Sequence, residues 1–553
     1  MNIAVRWARA ACLVLVGAAL VSVPASAQPA LSPAAPALLV RVSQGVALRY
    51  YLAHPSQAPA TLGARIRAVK AAAREVAAAP DTSAAESLAG AIRFNHDTTG
   101  LPQDEEAVAT CPSHPGTVLG GTNDFRGLLD PQFNFTGWHL STDGGGSVRN
   151  EGLLPPVQIF GRAVPSSGDP VVAVDAACRL FAADLNFDAR NPFGRPNGVG
   201  VYETTAARLA ACPGGSAPSC WPTRRAAAAT LPTDILDKPS MAVGTSGSAG
   251  EVVWVAFNDF HQVPSAPLGY DRASVKAVRC NVALTTCSRP ILISGRDKDI
   301  QFSDVTVGPD GRTYLTWSQI LGELPGSNGQ PSQPQTFVQK LRVAPAGSTT
   351  FGPTHTIAVE KLAIPFGGAL HADSFRVASV LQSDVVTVHR HPRVFAVWAA
   401  CTQRVIDTVC EEPQVKMRYS DTFGATWSPI RILSTGGDNY FANVASNGAH
   451  RLAFVWYTSR FDGLFHHRQD VELASMDAPT TNVTRRMRIT RVSNEPDADP
   501  LLGGFFIGDY IGVSAVGRTA WVSFTGNYQH MPLLGSGLAI PQQDNYLARR
   551  ALS

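Results

Sequence analysis

The chain has 553 residues, a net charge of +3 and only 16% charged residues, so it carries no electrostatic footprint for nucleic acid. Its 48 glycines and 40 prolines mark many turns, and its length calls for several domains or one large repeat array. The first element addresses the compartment. Arg6 and Arg9 precede the apolar run "AACLVLVGAALVSV" (10–23), and Ala25-Ser26-Ala27 reads as a cleavage site. Residues 1–27 are therefore read as a secretory signal, and the chain as secreted or periplasmic. The apolar run falls short of the ~20 residues that span a bilayer. Cys12 lies within it without a lipobox.

Removing the signal leaves eight cysteines, and an even count in an exported chain implies disulfides. Three pairs are sequence neighbours: Cys212 and Cys220, Cys280 and Cys287, Cys401 and Cys410. Cys111 and Cys178 remain. Sequence does not fix the connectivity; local pairing is the economical expectation, with Cys111–Cys178 joining the first two repeats. The C-x2-C spacing of a zinc site is absent.

Residues 28–58, rich in Ala, Pro and Ser, read as a flexible leader. The spacing predicts a helix over 61–79, where Leu62, Ile66, Val69, Ala73 and Val76 form one apolar stripe. Leader and helix together make an extension over 28–100. Beyond it, each unit has an Asp, a short strand, a turn and a longer strand rich in Val, Trp and Phe. Examples are "DKPSMAVGTSGSAGEVVWVAFNDF" (237–260) and "DNYFANVASNGAHRLAFVWYTSRFD" (438–462). The leading Asp residues are 104, 169, 237, 304, 373, 438 and 509, at intervals of 65 to 71. Two further strands fit in each interval. A four-stranded unit repeated about an axis is a β-propeller blade, so the sequence predicts an all-β propeller over 101–553. Seven starts predict seven blades; six is the alternative. The last unit shows three strands, and "AIRFN" (91–95) is placed to supply the fourth and close the ring.

Two turns carry nearly the same lettering, "LSTDGGGSV" (140–148) and "YSDTFGATWS" (419–428). They resemble the Asp-box, S-x-D-x-G-x-T-W, of the sialidase superfamily. Ser141, Asp143, Gly145 and Ser147 match in the first, with Val148 in place of Trp. Ser420, Gly424, Thr426 and Trp427 match in the second, with Thr422 at the Asp position. The resemblance covers 104–553 and implies a structural role: polar side chains fasten the turn, and Trp427 packs between blades. It also implies an exo-acting glycoside hydrolase. Members clamp the substrate carboxylate with three arginines and use a Tyr nucleophile assisted by Glu and an Asp acid/base. Arg126, in "NDFRG", is similar to the family's F-R-I-P arginine but lacks the Ile and Pro.

Successive antiparallel strands alternate direction, so the boxes, after third strands, must lie on the face opposite the leading Asp residues. The candidate functional face is therefore the channel mouth. Asp124, Arg126, Arg376, Tyr457, Arg460 and Tyr510 are the catalytic candidates. Asp169, Asp237, Asp304, Asp373, Asp438 and Asp509 are the binding candidates, expected to ring the mouth with Asp104 and able to hold a sugar or a hard cation such as Ca²⁺. No cofactor is required by this reading, and a glycan or glycoconjugate is the expected partner. His389 and His391 share a strand face and His466-His467 is a loop pair; surface histidines suffice to explain both. The competing class is a non-catalytic extracellular binding or scaffold propeller, cation-stabilised or not.

Overall fold

The computed structural model describes residues 38–552, apart from 40, 43, 59, 61, 65, 68–86, 89, 189–192, 264, 267, 322–334, 403–404, 407–408, 503 and 534–538. Seven antiparallel blades follow one another along the chain at 103–153, 171–230, 234–292, 300–360, 382–432, 439–488 and 512–551. In blade 1 the meander runs Gln103–Thr110, Val118–Asp124, Thr136–Ser141 and Asn150–Leu153. The inner strand of every blade touches the inner strands of both neighbours, which closes the ring about one axis. Closure uses both ends of the chain. In blade 7, Gly512–Val516, Thr519–Pro532 and Ala539–Ala551 are joined by Ala91–Arg93, with Ile92 opposite Leu547. The expectation for "AIRFN" and for seven blades is met.

Second strands are sandwiched between adjacent blades on both faces. They therefore read as continuous apolar runs rather than alternating ones. In blades 3 to 7 each buries a tryptophan: Trp254, Trp317, Trp398, Trp456 and Trp521. The four expected disulfides are formed, Cys111–Cys178 between blades 1 and 2 and the three local pairs within their loops. Among the described residues no helix is long and apolar enough to cross a membrane.

The two similar turns are closed by their own side chains. Asp143 Oδ1 accepts from the amides of Gly146 and Ser147, and Gly145 N donates to Ser141 Oγ at 2.9 Å. In the second turn Gly424 N donates to Ser420 Oγ at 2.9 Å, and Thr426 N donates to the Thr422 hydroxyl, which stands where Asp143 stands in the first. Gly145 and Gly424 have φ of 84° and 89°, a region that glycine enters without strain. Trp427 is only half-buried, at the edge of the apolar cluster that holds Tyr314, Leu341 and Trp398; the tryptophan that meets the first turn is instead Trp521, whose indole N–H donates to Gly144 O. Register puts these turns at the far end of the blade from the mouth. Ser141 pairs with Val118 and Val118 with Thr110, whereas Asp104 pairs with Asn123 and Asn123 with Thr136.

The N-terminal extension departs from expectation. A helix spans Gln44–Ala53, inside the stretch read as flexible leader. Within the predicted helix 61–79, residues 62–64 and 66–67 are helical, while 68–79 lies outside the described residues. Leu62 and Ile66 of the stripe are buried with Leu52, Phe125, Phe135 and Phe506, so this segment packs on the mouth face of the propeller.

Candidate active site at the axial mouth

The inner strands of blades 1, 3, 4 and 6 share one irregularity. Register slips between Asp104 and Ala107, Asp237 and Ser240, Gln301 and Asp304, and Tyr440 and Asn443. The bulged residues Glu105, Lys238, Phe302 and Phe441 all have positive φ, at 62°, 48°, 56° and 50°. Such conformations cost about 1–3 kcal/mol each and re-aim a side chain at sites where strands would otherwise direct it into a blade. Asp169 of blade 2 (φ 54°) joins them. Glu105, Asp169 and Lys238 thereby meet Asp509 and Tyr510 of blade 7 and Arg376 of blade 5.

Lys238 Nζ pairs with Asp509 Oδ2 and stands 3.6 Å from Glu105 Oε1 and 3.9 Å from Asp169 Oδ2. Arg376 holds both oxygens of Asp509, its Nε donating at 3.1 Å. Tyr510 donates to Glu105 Oε2 at 3.4 Å and to Pro170 O at 3.2 Å, and the Lys238 ammonium lies 5.4 Å from its ring centre. Asn123 donates to Asp104 at 2.9 Å and to Glu105 at 2.7 Å. Burial, reinforced by Asp169, pushes the Glu105 carboxyl well above the usual range. Burial opposes ionisation of Asp509 too, but Arg376 and Lys238 outweigh it and hold that carboxyl below its ordinary value. Asp104 is pushed up to about 8 by burial, and burial raises Tyr510 well above an ordinary phenol. Two carboxyls on either side of one ammonium are thus driven in opposite directions. Below the mouth the axial channel encloses about 350 Å³, with Glu106, Asp304 and Asp384 among its lining.

The N-terminal segment covers the cluster. Arg376 Nη1 donates to Val42 O at 2.9 Å, and the carbonyl of Arg41 accepts from Gln301 Nε2 at 2.9 Å. The Arg41 side chain donates to Tyr270 Oη and Asp299, both at 2.8 Å. Arg49, fully buried, reaches to 3.9 Å from Asp169 Oδ1, with its guanidinium over Phe135 and Phe187. The mouth carboxylates therefore face three cationic side chains: Lys238, Arg376 and, from the cap, Arg49.

Of the catalytic candidates, the structure brings Arg376 and Tyr510 together here. Asp124 and Arg126 lie elsewhere, at the second-strand end of blade 1, where Arg126 is locked between Asp124 and Glu151. Arg460 pairs with Glu472, its side chain 42% exposed. Tyr457 is a core residue, stacked on Tyr440, its oxygen accepting from Thr525 N at 2.9 Å. A nucleophile there would have no access to a ligand.

The expected ring of seven aspartates is not a ring. Asp104, Asp169 and Asp509 converge. Asp237 is buried just before the bulge that carries Lys238. Asp304 falls after its bulge, two ladder positions further on, and stitches blade 4 to blade 5 by accepting from the Ser383 amide at 2.8 Å and hydroxyl at 2.9 Å. Asp373 pairs with His467, and Asp438 is held at its backbone, its amide donating to Ser459 Oγ at 2.9 Å. Sequence reasoning missed Glu105 and Lys238. Each follows the leading Asp directly, in "DEE" and "DKP", and that position was the available signal.

Fold and site together define a seven-bladed propeller with a buried acid–base cluster at its axial mouth. Solved structures similar to the chain include a protein of unknown function from Dyadobacter fermentans, at 11% identity over 72% of this chain and 98% of that one, with a TM-score of 0.43. A Hadza microbial sialidase is similar at 11% identity over 75% and 73% of the two chains, TM-score 0.40. A Trypanosoma rangeli sialidase, solved in complex with sialic acid, is similar at 10% identity over 72% and 56%, TM-score 0.38. No family profile and no curated protein matches the chain. These are distant likenesses, and what the chain does has to be read from its own residues.

Proposed function

We propose that the chain is an exported glycan-acting propeller, a glycoside hydrolase working at the axial mouth, with Glu105 as proton donor. One observation carries this reading: Glu105 and Asp509 are driven to opposite protonation states across Lys238. Glycoside cleavage needs one carboxylic acid to protonate the leaving oxygen and one carboxylate to face the developing positive charge. In this assignment Asp509 is the ionised partner. Tyr510 donates to Glu105, which places a phenol beside the proton donor. Arg376 and Lys238 are both engaged by Asp509, and Arg126 and Arg460 lie away from the mouth, so a neutral sugar suits the site better than a sialic acid. The segment that carries Arg41, Val42 and Arg49 acts as a resident occupant that must leave before a sugar enters.

The test is hydrolysis of a panel of aryl glycosides, sialosides included, before and after limited proteolysis of the N-terminal segment. Turnover of a neutral glycoside after cleavage is expected, with kcat reduced about 10²–10⁴-fold by Glu105→Gln, the range for loss of a general acid. Turnover indifferent to Glu105→Gln would overturn the assignment. The sealed, fully buried Arg49 favours a second reading, a non-catalytic binding propeller, which would show glycan binding with no turnover in either state.

A further inference from the structure

Beside the mouth, three loops bring one imidazole against three carboxylates. His467 Nδ1 is 2.7 Å from Asp373 Oδ1. Its Nε2 is 3.2 Å from Glu495 Oε2 and 3.2 Å from Asp497 Oδ1. The ligand atoms of His467, Glu495 and Asp497 all lie within 4.8 Å of one another. The two acids are half-exposed, at 51% and 49%, while the Asp373 side chain is 1% exposed and its Oδ2 has no hydrogen-bond partner. Each loop is built to hold its residue. Asp462 Oδ2 accepts from the amides of His467 and Arg468, which fixes the imidazole's backbone. Gly504, at φ 76°, lets the chain close over Asp497, whose Cβ lies 2.8 Å from where a Gly504 Cβ would stand. Ser374, next to Asp373, donates to Gly504 O at 3.0 Å and ties the first loop to the third.

From this arrangement we propose that His467, Glu495 and Asp497 form a binding site for a divalent transition-metal cation, with Asp373 as the positioning residue behind the imidazole. A buried carboxylate on Nδ1 sets the tautomer and leaves the Nε2 lone pair facing outward, the arrangement found behind most metal-bound histidines. That lone pair would otherwise meet two carboxylate oxygens at equal distance. A proton on Nε2 serves one of them well; a divalent cation serves both and offsets their mutual repulsion. Arg468 Nε stands 3.9 Å from the other oxygen of Glu495, leaving Oε2 free for the cation. One imidazole nitrogen with two carboxylate oxygens suits Zn²⁺ or a similar first-row ion, which Ca²⁺, an all-oxygen binder, does not match. Three protein ligands leave room for water.

Titration of the metal-stripped full chain with Zn²⁺ at pH 8, followed by calorimetry and by thermal unfolding, tests this. One equivalent is expected to bind and to raise the melting temperature. His467→Ala, and separately the isosteric pair Glu495→Gln/Asp497→Asn, should each weaken binding at least about tenfold, and Asp373→Asn about 10–100-fold with all three ligands intact. His389→Ala/His391→Ala should leave it unchanged. The proposal fails if no zinc is taken up, if uptake survives in both ligand variants, or if Ca²⁺ binds more tightly than Zn²⁺. A His467→Ala chain that keeps its parent's unfolding curve without metal shows that lost binding is not lost folding; should it not fold, the isosteric pair decides.

Discussion

Asp184 offers a quantitative test of how burial governs this propeller. It lies on the second strand of blade 2, fully buried, and Thr136 Oγ1 donates to its Oδ2 at 2.8 Å while accepting from Gly168 N at 2.7 Å. Burial pushes its carboxyl from 3.8 up to about 8, against the smaller opposing effects of Thr136, Tyr202 and Arg49. Because the folded value lies above the unfolded one, the native state keeps a proton that the unfolded chain has released. The resulting stability is complete below about pH 3.8 and is lost as the pH rises through about 8. Integrating between those values, Asp184 alone withdraws about 3–4 kcal/mol between pH 5 and pH 8. Asn keeps the acceptor for Thr136 and cannot ionise. Urea unfolding of parent and Asp184→Asn at both pH values should therefore show the parent losing about 3–4 kcal/mol more than the variant. Equal losses, or a variant destabilised equally at both pH values, would refute the assignment of a protonated buried carboxyl.

Two further outcomes are expected. Trp521→Ala should cost about 3–5 kcal/mol, since the indole is buried and bonded to Gly144 O, whereas half-buried Trp427→Ala should cost about 1–2, both read by urea unfolding; equal costs would mean that the second turn is as deeply packed as the first. Replacing Cys111 and Cys178 by Ser opens a loop of sequence separation 67, against 7 for Cys280–Cys287, so loop entropy predicts losses of about 4 and about 2–3 kcal/mol. The reverse order in the two double variants would count against an entropic origin.

The blades were legible because they depend on local rules. A period of Asp, strand, glycine turn and apolar strand survives any detail of packing, and the closing strand 91–93 lies just ahead of the first unit, where the last one lacked a fourth strand. The site was only partly legible. Asp237 and Asp304 carry the same letter at the same place in the repeat, yet one precedes its bulge and the other follows it. A bulge adds residues to one strand without leaving a compositional mark, so the phase of the side chains could not be counted from the text. Arg41 and Arg49 were hidden for another reason. Their Ala- and Pro-rich surroundings read as leader, and only tertiary burial against Tyr270, Asp299 and Asp169 gives them a role.

The ring's fastening sets a timetable for biosynthesis. Ile92 is opposite Leu547, 455 positions later (547 − 92), and blade 7 has no fourth strand until the two meet. At roughly 5–20 residues per second, a ribosome takes on the order of 20–90 s to deliver the second after the first. Through that interval the early strand waits without its partner, and blade 1, which packs against blade 7, presents an uncovered flank to anything nearby. Contacts of such span are slow to form because the intervening loop must first be ordered. A chain that is complete before it begins to fold escapes the delay, since both strands are then present together and the circle can be drawn shut in one event.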